Sequence, residues 1–280
     1  MNYFVIQCYG KERILREAKF CVLSLLKFIK GDSRYKIILY TDNAPFFNDI
    51  SEYAVCEPMT PEMVQEWKGE HNFIHRVKVK MLMQFAQKYE GKFVYLDSDT
   101  WFKNHPQPLF DLIDDSNALL HLPEAQLKSN ANPIIKKIHR FVKGKEFIIN
   151  GGEKVSVPAE YYMWNAGVIG LQTPVMPLLE RVLQLTDAML AQYQKHVMEQ
   201  LAFSYFLQKE YTAHRSDAII EHYWPYCNAA EQPLQTLFEG LEGQLLDDKI
   251  ATVIAFDWGF TLQTQKKKGF LGKLIAKLNL

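Results

Sequence analysis

Phe93-Val94-Tyr95-Leu96-Asp97-Ser98-Asp99 is the stretch on which the reading of this chain turns. Four β-favouring residues followed by two carboxylates one residue apart describe a buried strand that delivers acids to its own C-terminal tip. In open α/β sheets that tip lies on the edge where ligands bind. Two like charges so close together are costly unless a cation offsets them. A hard divalent ion with oxygen ligands, Mg²⁺ or Mn²⁺, suits the pair, and a phosphate would complete its coordination shell. The same three residues also read as an ordinary acidic turn. The rest of the chain has to choose between the two.

Upstream, residues 3–8 read as a first strand ended by Tyr9-Gly10, and residues 35–40 as a second that ends in Thr41-Asp42-Asn43. Between them Ile14, Leu15, Ala18, Val22, Leu25, Leu26 and Ile29 make a stripe of helical period, stopped at Gly31-Asp32-Ser33. Residues 53–56 read as a short strand. Residues 75–89 read as a helix with Val77, Met81, Leu82, Phe85 and Ala86 inward, and with Arg76, Lys78, Lys80 and Lys88 among its polar positions. Strand and helix alternate through the first hundred residues, which predicts a parallel sheet covered on both faces. Downstream the pattern gives helices over 109–113, 132–143, 174–193, 196–208 and 231–247. It gives strands at 118–121, 168–171 and 218–220, a turn at Asn150-Gly151-Gly152, and either a strand or a helix over 251–255. One α/β domain to residue 257 is the expectation.

Composition narrows the function classes. With 48% hydrophobic and 13% aromatic residues among 280, the chain can build a sizeable core. Its formal net charge is zero, so it is not built to embrace nucleic acid. Cys8, Cys21, Cys56 and Cys227 are scattered without a C-x-x-C pair, as free thiols in a reducing compartment would be. The first ten residues lack the basic leader of a signal peptide, and no run approaches the roughly 18 apolar residues of a membrane span. A cytoplasmic protein is expected. No Gly-x-Gly-x-x-Gly follows the first strand and no Gly-x-x-x-x-Gly-Lys-Ser/Thr occurs, which argues against dinucleotide-binding and P-loop folds.

Several segments carry polar groups that a sugar nucleotide would need. Asp42 ends the second strand, placed for a base or ribose, or for an Asx turn. Arg76 and Lys80, four apart on one helix face, could clamp a diphosphate or lie on a solvated face. Asn165-Ala166-Gly167 allows close approach of backbone and ligand, and the Asn amide offers both a donor and an acceptor. Glu199-Gln200 sits inside a helical run. His222 follows a short strand and is a candidate third metal ligand beside Asp97 and Asp99, or a packed core histidine.

A strand-borne Asp-x-Asp near residue 100, an aromatic-rich Trp164-Asn165-Ala166-Gly167-Val168 about 65 residues on, and Glu199-Gln200 about 35 residues later occur in that order. In this the chain resembles the GT-A glycosyltransferases, above all the retaining sugar-nucleotide enzymes of the glycogenin and lipooligosaccharide galactosyltransferase kind. The resemblance spans residues 3 to about 225. It implies a Rossmann-like mixed sheet flanked by helices. It implies Mn²⁺ or Mg²⁺ on Asp97 and Asp99 bridging the diphosphate of a UDP-sugar, with Asp42, Arg76, Lys80 and Ser98 on the nucleotide side. It also implies that Asn165, Glu199 and Gln200 line the sugar and acceptor face. An inverting reaction would need a base, for which Glu199 is the candidate; a retaining one would leave Gln200 to steady the sugar.

Five lysines (Lys266, Lys267, Lys268, Lys273 and Lys277) lie beyond the last acid, Asp257. From Phe270 the apolar positions 270, 271, 274, 275 and 278 fall within an arc of about 140° on a helix. Residues 258–280 thus read as a basic amphipathic tail, and 266–280 as a foot on an anionic membrane surface, which would favour a lipid-linked or glycan acceptor. Two other readings remain: a phosphatase of the haloacid dehalogenase kind, with Asp97 as nucleophile and Asp99 as general acid, and a non-catalytic interaction protein that kept the fold.

Overall fold

The computed structural model describes residues 1–257. In chain order it runs β1 (Asn2–Cys8), α1 (Glu12–Ile29), β2 (Tyr35–Thr41), β3 (Ala54–Pro58), α2 (Pro61–Trp67), α3 (Arg76–Lys88), β4 (Lys92–Leu96), β5 (Thr100–Phe102) and α4 (Gln107–Leu112). There follow β6 (Asn117–Leu120), β7 (Pro123–Gln126), α5 (Pro133–Val142), β8 (Phe147–Ile149), β9 (Glu153–Val155), β10 (Tyr162–Trp164) and β11 (Val168–Gln172). The last elements are α6 (Met176–Leu190), α7 (Met198–Glu210), β12 (Thr212–Arg215), β13 (Ile220–His222), α8 (Cys227–Gly240) and α9 (Leu246–Ile254).

Seven strands form one sheet in the order β12-β6-β11-β4-β1-β2-β3. β4, β1, β2 and β3 are parallel, as the alternation of strand and helix predicts. β11 is antiparallel to both β4 and β6, so the sheet is mixed. Its central strands are continuous apolar runs because both faces are covered. Tyr3 and Val5 of β1, with Tyr95 of β4, pack into a core shared with α3, α6 and α7. Phe4 and Ile6, with Val94 and Leu96, pack on the opposite face with α1, α8 and α9. The period-2 alternation of a strand therefore decides which helix each residue meets.

Short elements carried too little pattern to be read from sequence: α2, β5, β7, the β8–β9 hairpin and β12. The turn at Asn150-Gly151-Gly152 closes that hairpin, with φ of +45°, +66° and +137° in succession. Residues 231–247 are not one helix, since α8 ends at Gly240 and α9 begins at Leu246; residues 251–254, open in the sequence, complete α9. Among the described residues no helix is long and apolar enough to cross a membrane. The amphipathic segment expected over 266–280 lies outside the described residues.

Candidate active site

Two strand registers assemble the site. β11 runs antiparallel to β4 with Val168 opposite Leu96, so the segment before β11 lies beside the residues after β4. The Asp97 N–H accordingly donates to the Gly167 carbonyl at 2.8 Å. β13 pairs with β5 with His222 opposite Thr100, which brings that imidazole against Asp99 across 123 residues of sequence. Ligand atoms of Asp97, Asp99 and His222 all lie within 4.8 Å of one another. They sit at the C-terminal edge of the parallel strands, where a ligand-binding crevice is expected.

The imidazole is held on every side. His222 Nδ1 is 2.7 Å from Asn165 Oδ1, an oxygen that also accepts the Gly167 N–H at 3.0 Å. An amide oxygen can only accept, so Nδ1 carries the proton and Nε2 faces the acids, 3.1 Å from Asp99 Oδ1 and 3.9 Å from Asp97 Oδ2. A Cβ on Gly167 would fall 2.1 Å from His222 Cε1. His121 packs edge-on against the ring at a centroid distance of 5.5 Å and donates from Nε2 to the Ile220 carbonyl at 3.2 Å. Burial, then the charge of His222, push the His121 pKa down to about 4, so it stays neutral. Burial also opposes charge on His222, but Asp99 and then Asp97 outweigh it and raise its pKa. Burial would raise Asp99 as well. His222 and the thiol of Cys227, whose Sγ lies 2.9 Å from Asp99 Oδ2, instead hold it at about 2.

Lys78, read from sequence as a polar position of α3, is 5% exposed. Its Nζ lies 2.8 Å from Glu199 Oε1 and 3.3 Å from Asp97 Oδ1, and donates to the Ala166 carbonyl at 3.0 Å. Burial works to discharge it, but Asp97 and Glu199 prevail and keep the ammonium charged. Asp97 Oδ1 also accepts the Tyr95 hydroxyl. Formally, Asp97, Asp99 and Glu199 are three carboxylates against the one ammonium of Lys78. Once Nε2 of His222 gives up its proton to bind a metal, with Nδ1 keeping its own for Asn165, the excess is two negative charges, which fits a divalent cation on Asp97, Asp99 and His222.

The other candidates separate. The α3 pair expected to clamp a diphosphate does not present two cations to the cluster. Arg76 is bound through Nε and Nη2 to Asp187 at 2.8 and 3.0 Å and through Nη1 to the Trp67 carbonyl at 2.9 Å. Lys80 is half-buried with no ion pair among the described residues, and the cation at the cluster is Lys78. Ser98 faces α1, donating to Glu17 Oε2 at 3.1 Å, because it continues the Leu96 side of β4 whereas Asp97 continues the Tyr95 side. Asp42, exposed at the end of β2, accepts the Gly10 N–H at 2.9 Å. Glu199, the candidate base, is 2% exposed and paired with Lys78. Gln200 is at the site: its Nε2 donates to Glu124 Oε2 at 3.2 Å, while Asn165 Nδ2 donates to Glu124 Oε1 at 3.2 Å. Glu124, exposed on β7, was missed, since one acid after a proline in a short edge strand carries no spacing signal.

Neither a family model nor a curated protein matches the sequence. Solved structures do match. One is the galactosyltransferase LgtC in complex with donor and acceptor sugar analogues, at 12% identity and a TM-score of 0.48, over 73% of this chain and 70% of that chain. Another is mouse xyloside xylosyltransferase 1 in its apo form, at 14% identity and a TM-score of 0.49, over 77% of this chain and 85% of that one. A third is the bifunctional glycosyltransferase WbbM, at 13% identity and a TM-score of 0.46, over 75% of this chain and 38% of that one.

Proposed function

We propose that the chain is a metal-dependent GT-A-type glycosyltransferase that moves a hexosyl group from a nucleoside-diphosphate sugar, a UDP-sugar first, to a glycan or lipid-linked acceptor. One observation carries the reading. Asp97, Asp99 and His222 converge at the ligand edge of the sheet with an excess of negative charge. Mn²⁺ or Mg²⁺ bound there would supply positive charge to the leaving diphosphate. The protein's own part is preorganisation. Asn165 fixes the tautomer of His222, Lys78 and Tyr95 fix Asp97, and Cys227 fixes Asp99. The carboxylate of Glu124, steadied by the Asn165 and Gln200 amides, is exposed and able to accept from a sugar hydroxyl. An inverting reaction would draw its base from Glu124, because Glu199 is committed to Lys78. The phosphatase alternative needs Asp97 free as a nucleophile, and its Oδ1 is held by a phenol and an ammonium. A cytoplasmic location, with residues 266–280 on an anionic membrane surface near a lipid-linked acceptor, belongs to the same proposal.

The test is phosphorus NMR of the purified protein with a panel of UDP-sugars and Mn²⁺. Slow release of UDP from one donor, abolished by chelator and by Asp99→Asn, is expected. Release of inorganic phosphate from phosphate esters instead would replace the reading with the phosphatase one.

A further inference from the structure

A second feature of the ligand edge is a cavity of about 290 Å³ between the loop before α3 and the loop before α7, lined by His71, Phe73, His75, Lys195 and His196 among others. That volume is at the small end of ligand sites, room for a single sugar rather than a long chain. Its position ties it to the carboxylate cluster. His75 lies three residues before Lys78, and His196 three before Glu199 and four before Gln200. Each helix leads into a strand parallel to β4 (α3 into β4 itself, α7 into β12), so both start at the edge of the sheet to which β4 delivers Asp97.

The lining is one-sided. Every residue of the cavity wall with an ordinarily ionisable side chain is basic: three histidines and one lysine, with no carboxylate. None of the three imidazoles has a hydrogen bond or an ion pair to any described residue. Among the described residues the Lys195 ammonium meets only the Tyr193 ring, at 5.1 Å. Lysines and arginines elsewhere in this chain are commonly matched by acids, as Lys19 is by Asp49 and Arg181 by Glu153 and Glu210. A shared metal does not account for the histidines, since Asp97, Asp99 and His222 form the only trio among the described residues close enough to hold an ion. Phe73, tilted against His75 at 5.4 Å, adds an aromatic surface of the kind sugar rings pack on, and Asn72 and Gln194 add amides for hydroxyls.

We propose that this cavity is the acceptor subsite and that the acceptor sugar carries a negative group, a phosphate or a carboxylate, received by Lys195, His196, His71 and His75. The inference rests on the glycosyltransferase reading and names its acceptor class. The cation site and this subsite divide the edge by charge: the acidic cluster takes the metal with the donor, and the basic cavity takes an acidic sugar.

The test is a binding titration by NMR in metal-free buffer with four probes: glucose, glucose 6-phosphate, glucuronic acid and inorganic phosphate. The phosphorylated or the carboxylated sugar, whichever the cavity prefers, is expected to bind about tenfold more tightly than glucose and than inorganic phosphate. That preference should disappear in Lys195→Ala/His196→Ala, survive in Lys195→Arg, and leave Mn²⁺-dependent UDP binding unchanged in both variants. Equal binding of glucose overturns the proposal, as does a preference that survives the double substitution. Inorganic phosphate binding as tightly as the sugar phosphate removes the sugar from it. Loss of UDP binding in the double variant assigns the cavity to the donor and overturns it also. Absence of UDP binding in the unaltered protein would sink the glycosyltransferase reading itself, a failure separate from any result with the acidic sugars.

Discussion

Gly167 and His222 share one volume: a methyl group on residue 167 would sit 2.1 Å from Cε1 and 2.3 Å from Nδ1 of the imidazole. The ring occupies the space that the missing side chain leaves, and the Gly167 N–H shares the Asn165 oxygen with it. Gly167→Ala must therefore displace His222 from Asp99. The expected cost is about 1–3 kcal/mol of stability from overpacking. Mn²⁺ affinity should fall about 10- to 100-fold, as read by electron paramagnetic resonance. Unchanged Mn²⁺ affinity would mean that His222 is not a ligand.

Lys78 and Glu199 form a buried ion pair with Asp97 as its third member. Lys78→Met would strand two carboxylates and should cost about 3–5 kcal/mol in urea unfolding. Lys78→Met/Glu199→Gln should recover much of that stability while UDP binding stays impaired, because Asp97 loses its orienting cation. Lys80→Ala should change stability by less than about 0.5 kcal/mol. Recovered UDP binding in the double variant would contradict the role given to Lys78.

Cys227 holds the second oxygen of Asp99. Cys227→Ala frees that oxygen and should weaken Mn²⁺ binding about tenfold with little change in melting temperature; Cys227→Ser, which keeps a donor, should restore most of it. Equal Mn²⁺ affinity in the alanine and serine variants would show that the thiol only fills space.

Glu17 of α1 accepts from Ser98 and pairs with Arg13 at 2.9 Å. Burial first, and then the charge of Asp99, raise its pKa to about 7 from the ordinary 4.5. The unfolded chain therefore releases this proton at lower pH than the folded one. Its contribution favours folding below pH 4.5 and is lost as pH rises towards 7, by about 3 kcal/mol in the metal-free protein. Stability of Glu17→Gln relative to the unaltered protein should rise across pH 4.5–7 and level off above it. A flat difference over that window would contradict the shift.

Particular residues show how much was legible beforehand. The strand that carries Asp97 and Asp99 is plain because four apolar β-formers in a run read as a buried strand, whereas its two acids read equally well as a turn until His222 is brought against them. His222 and Asn165 stood out by residue type, but their mutual contact depends on two strand registers that no local pattern encodes. Lys78 was legible and passed over: with Met81, Leu82 and Phe85 it falls at i, i+3, i+4 and i+7, on the apolar stripe of α3. Glu199 stands in the same relation to Ala202, Phe203 and Phe206 on α7. A charge inside a helix's apolar stripe needs a buried partner, and these two are each other's. Arg76 and Lys80 lie on the face of α3 opposite that stripe, so their four-residue spacing describes a helix face without aiming it at the site.

The most direct measurement is a calorimetric titration of the protein with UDP, with and without Mn²⁺, beside Asp97→Ala/Asp99→Ala. The account predicts binding that requires both the ion and the two carboxylates. Binding that is equally tight without metal, or that survives in the double variant, would contradict it.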